Sequence, residues 1–139
     1  MSAATAEATA AALVAQVRTQ VAAAVGVYLA DEVPGTNGDD SSRLPPRWVE
    51  VGLSRTFGGV YRIGARPSTT AHYVTVGTAD GNVPSVQRLQ QQTAAALEGA
   101  RIQIGAASTS PLAFYAQTDV TYLRDLGRYW QLTTYSFAI

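Results

Sequence analysis

Residues 71–102 read AHYVTVGTADGNVPSVQRLQQQTAAALEGARI, and the fold follows outward from this stretch. Its first part alternates. Val74 and Val76 share one face with Tyr73 and Thr75 opposite, and β-branched and aromatic residues in that pattern fit a strand over Thr70 to Thr78. Ala79-Asp80-Gly81-Asn82 makes a turn, and Asn82 or Ser85 can cap the helix that follows. Pro84 suits a first-turn position, where its missing N–H costs nothing. Val86, Leu89, Thr93, Ala96 and Leu97 form a narrow apolar stripe, while Arg88, Gln90, Gln91 and Gln92 mostly face away. Gly99 stops the helix, and Arg101 to Ile104 is a short strand with Ile102 and Ile104 pointing the same way.

Upstream, residues about 5–32 read as one long helix, with Leu13, Val17, Val21, Val25 and Tyr28–Leu29 on one stripe. Residues 34–46, PGTNGDDSSRLPP, are rich in turn formers, have no apolar period and read as a long flexible loop. Arg47 to Arg55 alternates, with Val49, Val51 and Leu53 on one face and Trp48, Glu50 and Gly52 on the other. Val60 to Arg66 follows a Phe57-Gly58-Gly59 turn and suggests a hairpin with that run. Downstream, Phe114 to Leu123 and Arg128 to Ala138 are strands joined by Arg124-Asp125-Leu126-Gly127, whose glycine marks a hairpin.

The order is therefore α-β-β-β-α-β-β-β in one domain spanning 1–139, with the sheet and second helix within 47–138. Helices separated by runs of strands predict an α+β fold: a mostly antiparallel or mixed sheet of five to six strands with two helices packed on one face.

Composition narrows the function. Hydrophobic residues make up 47% and charged residues 14%, so few strongly hydrated side chains cover the outside and part of the surface is expected to meet another protein. Ten arginines balance ten carboxylates, and there is no lysine. Zero net charge argues against a dedicated nucleic-acid binder, which needs a basic stripe to displace counterions. With no cysteine, disulfides and zinc-thiolate sites are excluded. The alanine-rich N-terminal segment, interrupted by Glu7, Gln16, Arg18 and Gln20, cannot span a bilayer and lacks the regions of a signal peptide. A cytoplasmic site of synthesis and no membrane partner are expected.

A catalytic constellation does not emerge. His72 is the only histidine, which removes His-ligated metal clusters, and its place within a strand points to a structural role. No GxSxG elbow or SxxK pair occurs. Asp39-Asp40-Ser41-Ser42 lacks the spacing of a calcium loop and reads as a solvated turn. Gly58-Gly59 and Gly64 form neither GxGxxG nor a Walker loop. No catalytic residue, cofactor or metal site is expected. Aromatics are many in the strands, and those not in the core are of the kind interfaces use as anchors.

An opening helix, an extended polar loop before Trp48-Val49-Glu50-Val51-Gly52, a strand running into an Arg/Gln/Ala helix over 71–102, and a terminal strand Gly127-Arg128-Tyr129-Trp130-Gln131-Leu132-Thr133-Thr134-Tyr135 complete the layout. Over roughly residues 8–138 it resembles the tail terminator (tail completion) proteins of long-tailed bacteriophages. The resemblance implies a non-enzymatic virion protein, assembled in the host cytoplasm, that forms a ring, typically a hexamer, on the head-proximal end of the tail tube. Such a ring stops tube polymerisation and presents the head–tail joining surface. Its implied partners are copies of itself, the tail tube protein and a head-completion or neck protein, with DNA passing through the lumen without sequence-specific binding.

A closed head-to-tail ring needs two complementary patches per subunit, each burying about 800 Å² in a standard interface. The candidates are the terminal hairpin around Tyr129, Trp130 and Tyr135 and the outer face of the strand holding Tyr61 and Arg62, with Arg43 in the 34–46 loop meeting the tube or the head side. Two other readings stand beside this one: a neck or head-completion connector, and a small α+β ligand-binding module or enzyme with a pocket around His72 or a carboxylate.

Overall fold

The computed structural model describes residues 3–36, 40–53, 57–58 and 70–138. Helix α1 (Ala3–Arg18) is followed by strand β1 (Gly26–Leu29), a 3₁₀ turn (Ser41–Arg43), β2 (Trp48–Leu53), β3 (Phe57–Gly58), β4 (Thr70–Asp80) and helix α2 (Val83–Leu97). After α2 come β5 (Gln103–Ile104), β6 (Ala107–Ser108), β7 (Ala113–Gln117), β8 (Thr121–Leu123) and β9 (Arg128–Phe137). The main sheet runs β1-β2-β4-β9-β7, with β3 also on β4 and β8 also on β9. Every pairing is antiparallel except β1 with β2, so the sheet is mixed, as the sequence predicts.

The predicted long helix is corrected here. It ends at Arg18, and residues 26–29 form an edge strand parallel to β2. Gly26 costs a helix about 1 kcal/mol, and the β-branched neighbours are poor helix formers. A strand instead gives this backbone a ladder on β2. The side chain of Thr19 donates to the Gln16 carbonyl at 2.6 Å where the helix ends, and Arg18 reaches forward to donate to the Val27 carbonyl at 2.9 Å. The apolar period itself is real: Leu13, Val17, Val21 and Val25 are all buried, although only the first two are helical.

Around α2 the sequence reading holds in detail. Asn82 accepts from the Ser85 N–H at 2.9 Å, Pro84 lies in the first turn, and Val86, Leu89, Thr93, Ala96 and Leu97 are its buried residues. Gly99 follows with φ +78°, the left-handed conformation a helix stop favours.

Both helices cover one face of the sheet. Leu13, Val17, Leu89 and Leu97 pack there with Val49, Val51, Val74, Val76, Tyr135 and Phe137. A second, smaller core lies on the other face: Trp48, Ala79 and Val33 are buried, with Tyr28, Leu44, Leu126 and Trp130 packed against them. The described part of the loop after β1 makes this cover. Asp40 caps the 3₁₀ turn by accepting from Ser42 N–H at 3.0 Å, and Val33 and Leu44 seat on the sheet. The predicted strand over 60–66 lies outside the described residues. The predicted strand 114–123 is two, β7 and β8. Between them Thr118 takes over the pairing, exchanging backbone and side-chain hydrogen bonds with Leu132 and Gln131.

Candidate assembly interface

The candidate residues fall in different places. Tyr61 and Arg62 lie outside the described residues. Arg43 ends the 3₁₀ turn and is exposed. Tyr129 is half-buried and packs its ring on Tyr122 of β8, centroids 4.9 Å apart. Trp130 is half-buried in the second core, its indole over Gly77. Tyr135 is fully buried beneath the helices, which corrects its placement as a surface anchor: β9 is a central strand, and the face that carries Tyr135 is the core face. Alternation along β9 sets Trp130 on the opposite face from Tyr135, so the structure does not unite these residues into one patch.

The exposed aromatics lie one strand further out. Phe114 (51% exposed), Tyr115 (60%) and Tyr122 (52%) stand on β7 and β8, which together form one outer edge of the sheet. All five residues of β7 are exposed. The Tyr115 ring meets Tyr73 of β4 edge-on at 4.8 Å, and the register of β7 on β9 shifts between Phe114 and Ala116, so Tyr115 is the bulged residue. The sequence contains these rings within predicted strands. What it does not contain is the strand order that makes this edge the outermost.

At the β1 edge of the sheet the Arg18 guanidinium donates to the Val27 carbonyl. Beside β8 the hairpin turn leaves a shallow hollow of about 370 Å³, lined by Tyr122, Leu123, Arg124, Asp125 and Leu126. A second hollow of about 200 Å³ lies between the turn after α1 and the outer side of α2, with Arg47, Asp80, Ser85 and Arg88 on its walls.

The groups whose pKa values are shifted, His72, Glu50 and Tyr135, line neither hollow. His72 is buried and stacks on Phe137 at 5.3 Å, and burial pushes its pKa below the usual histidine value. Glu50 is pushed above the carboxylate range by burial. The indole N–H of Trp48, donating at 3.1 Å, opposes that shift, and the nearby Asp31 charge adds to it. No group of three or more His, Asp or Glu side chains able to hold a metal occurs among the described residues. What the described surface offers is exposed rings on the outermost strands, which suit contact with another polypeptide.

No protein-family model matches the chain, and no curated protein does. Among solved structures it is similar to a chain from the virion of a native gene transfer agent (GTA) particle, with a TM-score of 0.68 and 19% identity. The match covers 99% of this chain and 98% of that one. At this identity the shared property is the fold, and the two chains share it from end to end.

Proposed function

We propose that this chain is a structural virion protein, a tail terminator that caps the head-proximal end of a tail tube as a ring of copies and forms the head–tail joining surface. One observation carries the reading: a fold shared over essentially the whole of both chains with a component of a virion. The sequence resemblance points the same way independently, from segment order and the character of the terminal strand. Exposed aromatics along one sheet edge fit a protein whose work is done by contact. The ring is closed by copies of the chain, probes of its faces being the tail tube protein on one side and a neck protein on the other.

The test is reconstitution. A tail tube protein from the same particle is polymerised with and without this chain, and tube lengths and ends are measured by electron microscopy. Shorter tubes with a ring of density at one end are the expected result. Tubes of unchanged length and ends, with the chain recovered instead on a portal or adaptor, would turn the assignment to a neck connector.

A further inference from the structure

We propose that the hollow of about 200 Å³ between α2 and the end of the sheet is a site for a single carboxylate, presented by an acidic side chain of a partner polypeptide. The hollow forms where the main core ends. Alternation carries Val51 and Val49 on to Arg47, and Val74, Val76 and Thr78 on to Asp80, all on the face that the helices cover. Trp48 pairs with Ala79, so Arg47 and Asp80 lie side by side at the same end of the sheet. Across from them, spacings of three and four residues bring Ser85, Arg88 and Gln92 onto one face of α2. The buried side chains of Val25 and Leu89 line the space as well.

The donors around this hollow are not engaged. Among the described residues, the side chains of Arg47, Ser85, Arg88 and Gln92 make no hydrogen bond and no ion pair. Elsewhere the same residue types are held by backbone carbonyls: Arg18 by Val27, Arg128 by Pro45 and Pro46, Gln16 by Ala96 and Gln131 by Thr118. The first helix amides do not contribute, because Asn82 already accepts from the Ser85 N–H with its side chain and from the Val86 N–H with its carbonyl. The hollow therefore offers two guanidinium groups, a hydroxyl and a carboxamide, a set of donors suited to the two oxygens of a carboxylate.

Charge and size select among anions. Asp80 also lines the hollow, its Oδ1 accepting from the Gly81 N–H at 2.6 Å, so two arginines and one aspartate leave a net of one positive charge. One carboxylate balances that charge, while Asp80 repels the second charge of a phosphate monoester. A nucleic-acid backbone needs a row of cations, which two arginines beside a carboxylate do not supply. Small-molecule sites run from about 300 Å³ upward. A hollow of about 200 Å³ has room for one side chain and draws further affinity from the surface around it. Val25 and Leu89 suit the methylene groups of a glutamate stem. The ligand is a glutamate or aspartate on another polypeptide. The inference does not rest on the terminator reading, since any partner chain can supply such a residue.

The probe is acetyl-Ala-Glu-Ala-amide, which carries one carboxylate. It is titrated into the full chain at physiological ionic strength while the Arg47 and Arg88 Nε–H signals are followed by NMR. Saturable shifts with a dissociation constant of about 1 mM are expected at both groups and at the amides of Ser85 and Gln92, and none from the tripeptide with Gln in place of Glu. Arg47→Gln and Arg88→Gln, at exposed positions, should each weaken binding about tenfold while thermal unfolding stays unchanged. Arg101→Gln, exposed and away from the hollow, should leave binding as it is. Shifts that fail to saturate, shifts that the Gln tripeptide reproduces, or binding that Arg47→Gln or Arg88→Gln leaves unchanged would overturn the proposal. Saturation by inorganic phosphate or a duplex oligonucleotide at a lower concentration than by the tripeptide would overturn it too, assigning the hollow to a phosphate ligand.

Discussion

The indole of Trp130 lies over Gly77, on the neighbouring strand and on the face away from the helices, so closely that a methyl group at position 77 would overlap the ring. The glycine is therefore a packing requirement of the second core, in which Trp130 supports Trp48 and Ala79. Gly77→Ala should destabilise the protein by about 1–3 kcal/mol through overpacking. In a Trp130→Phe background the cost should shrink. A double-mutant cycle in urea measures the coupling, and additive costs would show that the ring and the glycine are independent.

Arg128 holds the loop after β1 against the terminal hairpin through backbone carbonyls. Its Nε donates to the Pro46 carbonyl at 3.0 Å, Nη2 to Pro45 at 3.1 Å, and Nη1 to Gly127 at 3.1 Å and Leu126 at 3.4 Å. A planar fork reaches carbonyls on two segments at once, and an ammonium does not. Arg128→Lys should cost about 1–2 kcal/mol and, more specifically, raise proteolysis and amide exchange within residues 40–47. Unchanged protection there would show that Val33 and Leu44 suffice to seat the loop.

The two arginine contacts also mark where sequence reasoning stops. The strand–turn–helix unit from β4 through α2 was legible because each signal is local: alternation, an Asn cap, a first-turn proline and a glycine stop all act within a few residues. The end of α1 was not. Residues 19–29 keep a helical apolar period, and only the ladder offered by β2, 22 positions on from Gly26, makes a strand the better state. Likewise Trp130 and Tyr135 lie on opposite faces of β9, and which face is covered, and which strand is outermost, depends on pairing between distant segments. The sequence therefore points to Tyr135 as a surface anchor and does not single out Phe114, Tyr115 and Tyr122 from the other strand aromatics.

His72 gives an acid-side prediction. The folded protein lowers its pKa from the usual 6.5, chiefly by burial, with the ring stacked on Phe137. Between the lowered value and 6.5 the unfolded chain binds more protons than the folded one, so this histidine makes stability fall as pH drops below about 6.5 and contributes no further change above it. His72→Phe should flatten that part of the profile of unfolding free energy against pH. An identical slope in the variant would mean that carboxylates alone carry it. In tube-capping assays the variant should remain active as long as it is folded, because the proposed role needs no base at this position.

Tyr135 gives the complementary prediction on the alkaline side. Its hydroxyl is buried and finds no hydrogen-bond partner among the described residues. Burial, with a smaller push from the Glu98 carboxylate, raises its pKa from 10 to about 12. Across that interval the folded state keeps a proton that the unfolded chain releases, so the stability tied to this group is intact below pH 10 and is lost as pH climbs toward 12. Removing the oxygen while keeping the ring should relieve an unmet polar group, so Tyr135→Phe is expected to be neutral or more stable by up to about 1 kcal/mol at neutral pH, with a shallower alkaline decline. Tyr135→Ala, which empties a fully buried site between Val74 and the helices, should instead cost about 3–5 kcal/mol. Equal losses from the two substitutions, followed by thermal and urea unfolding, would show that the hydroxyl is bonded after all and that the ring alone does not account for the residue.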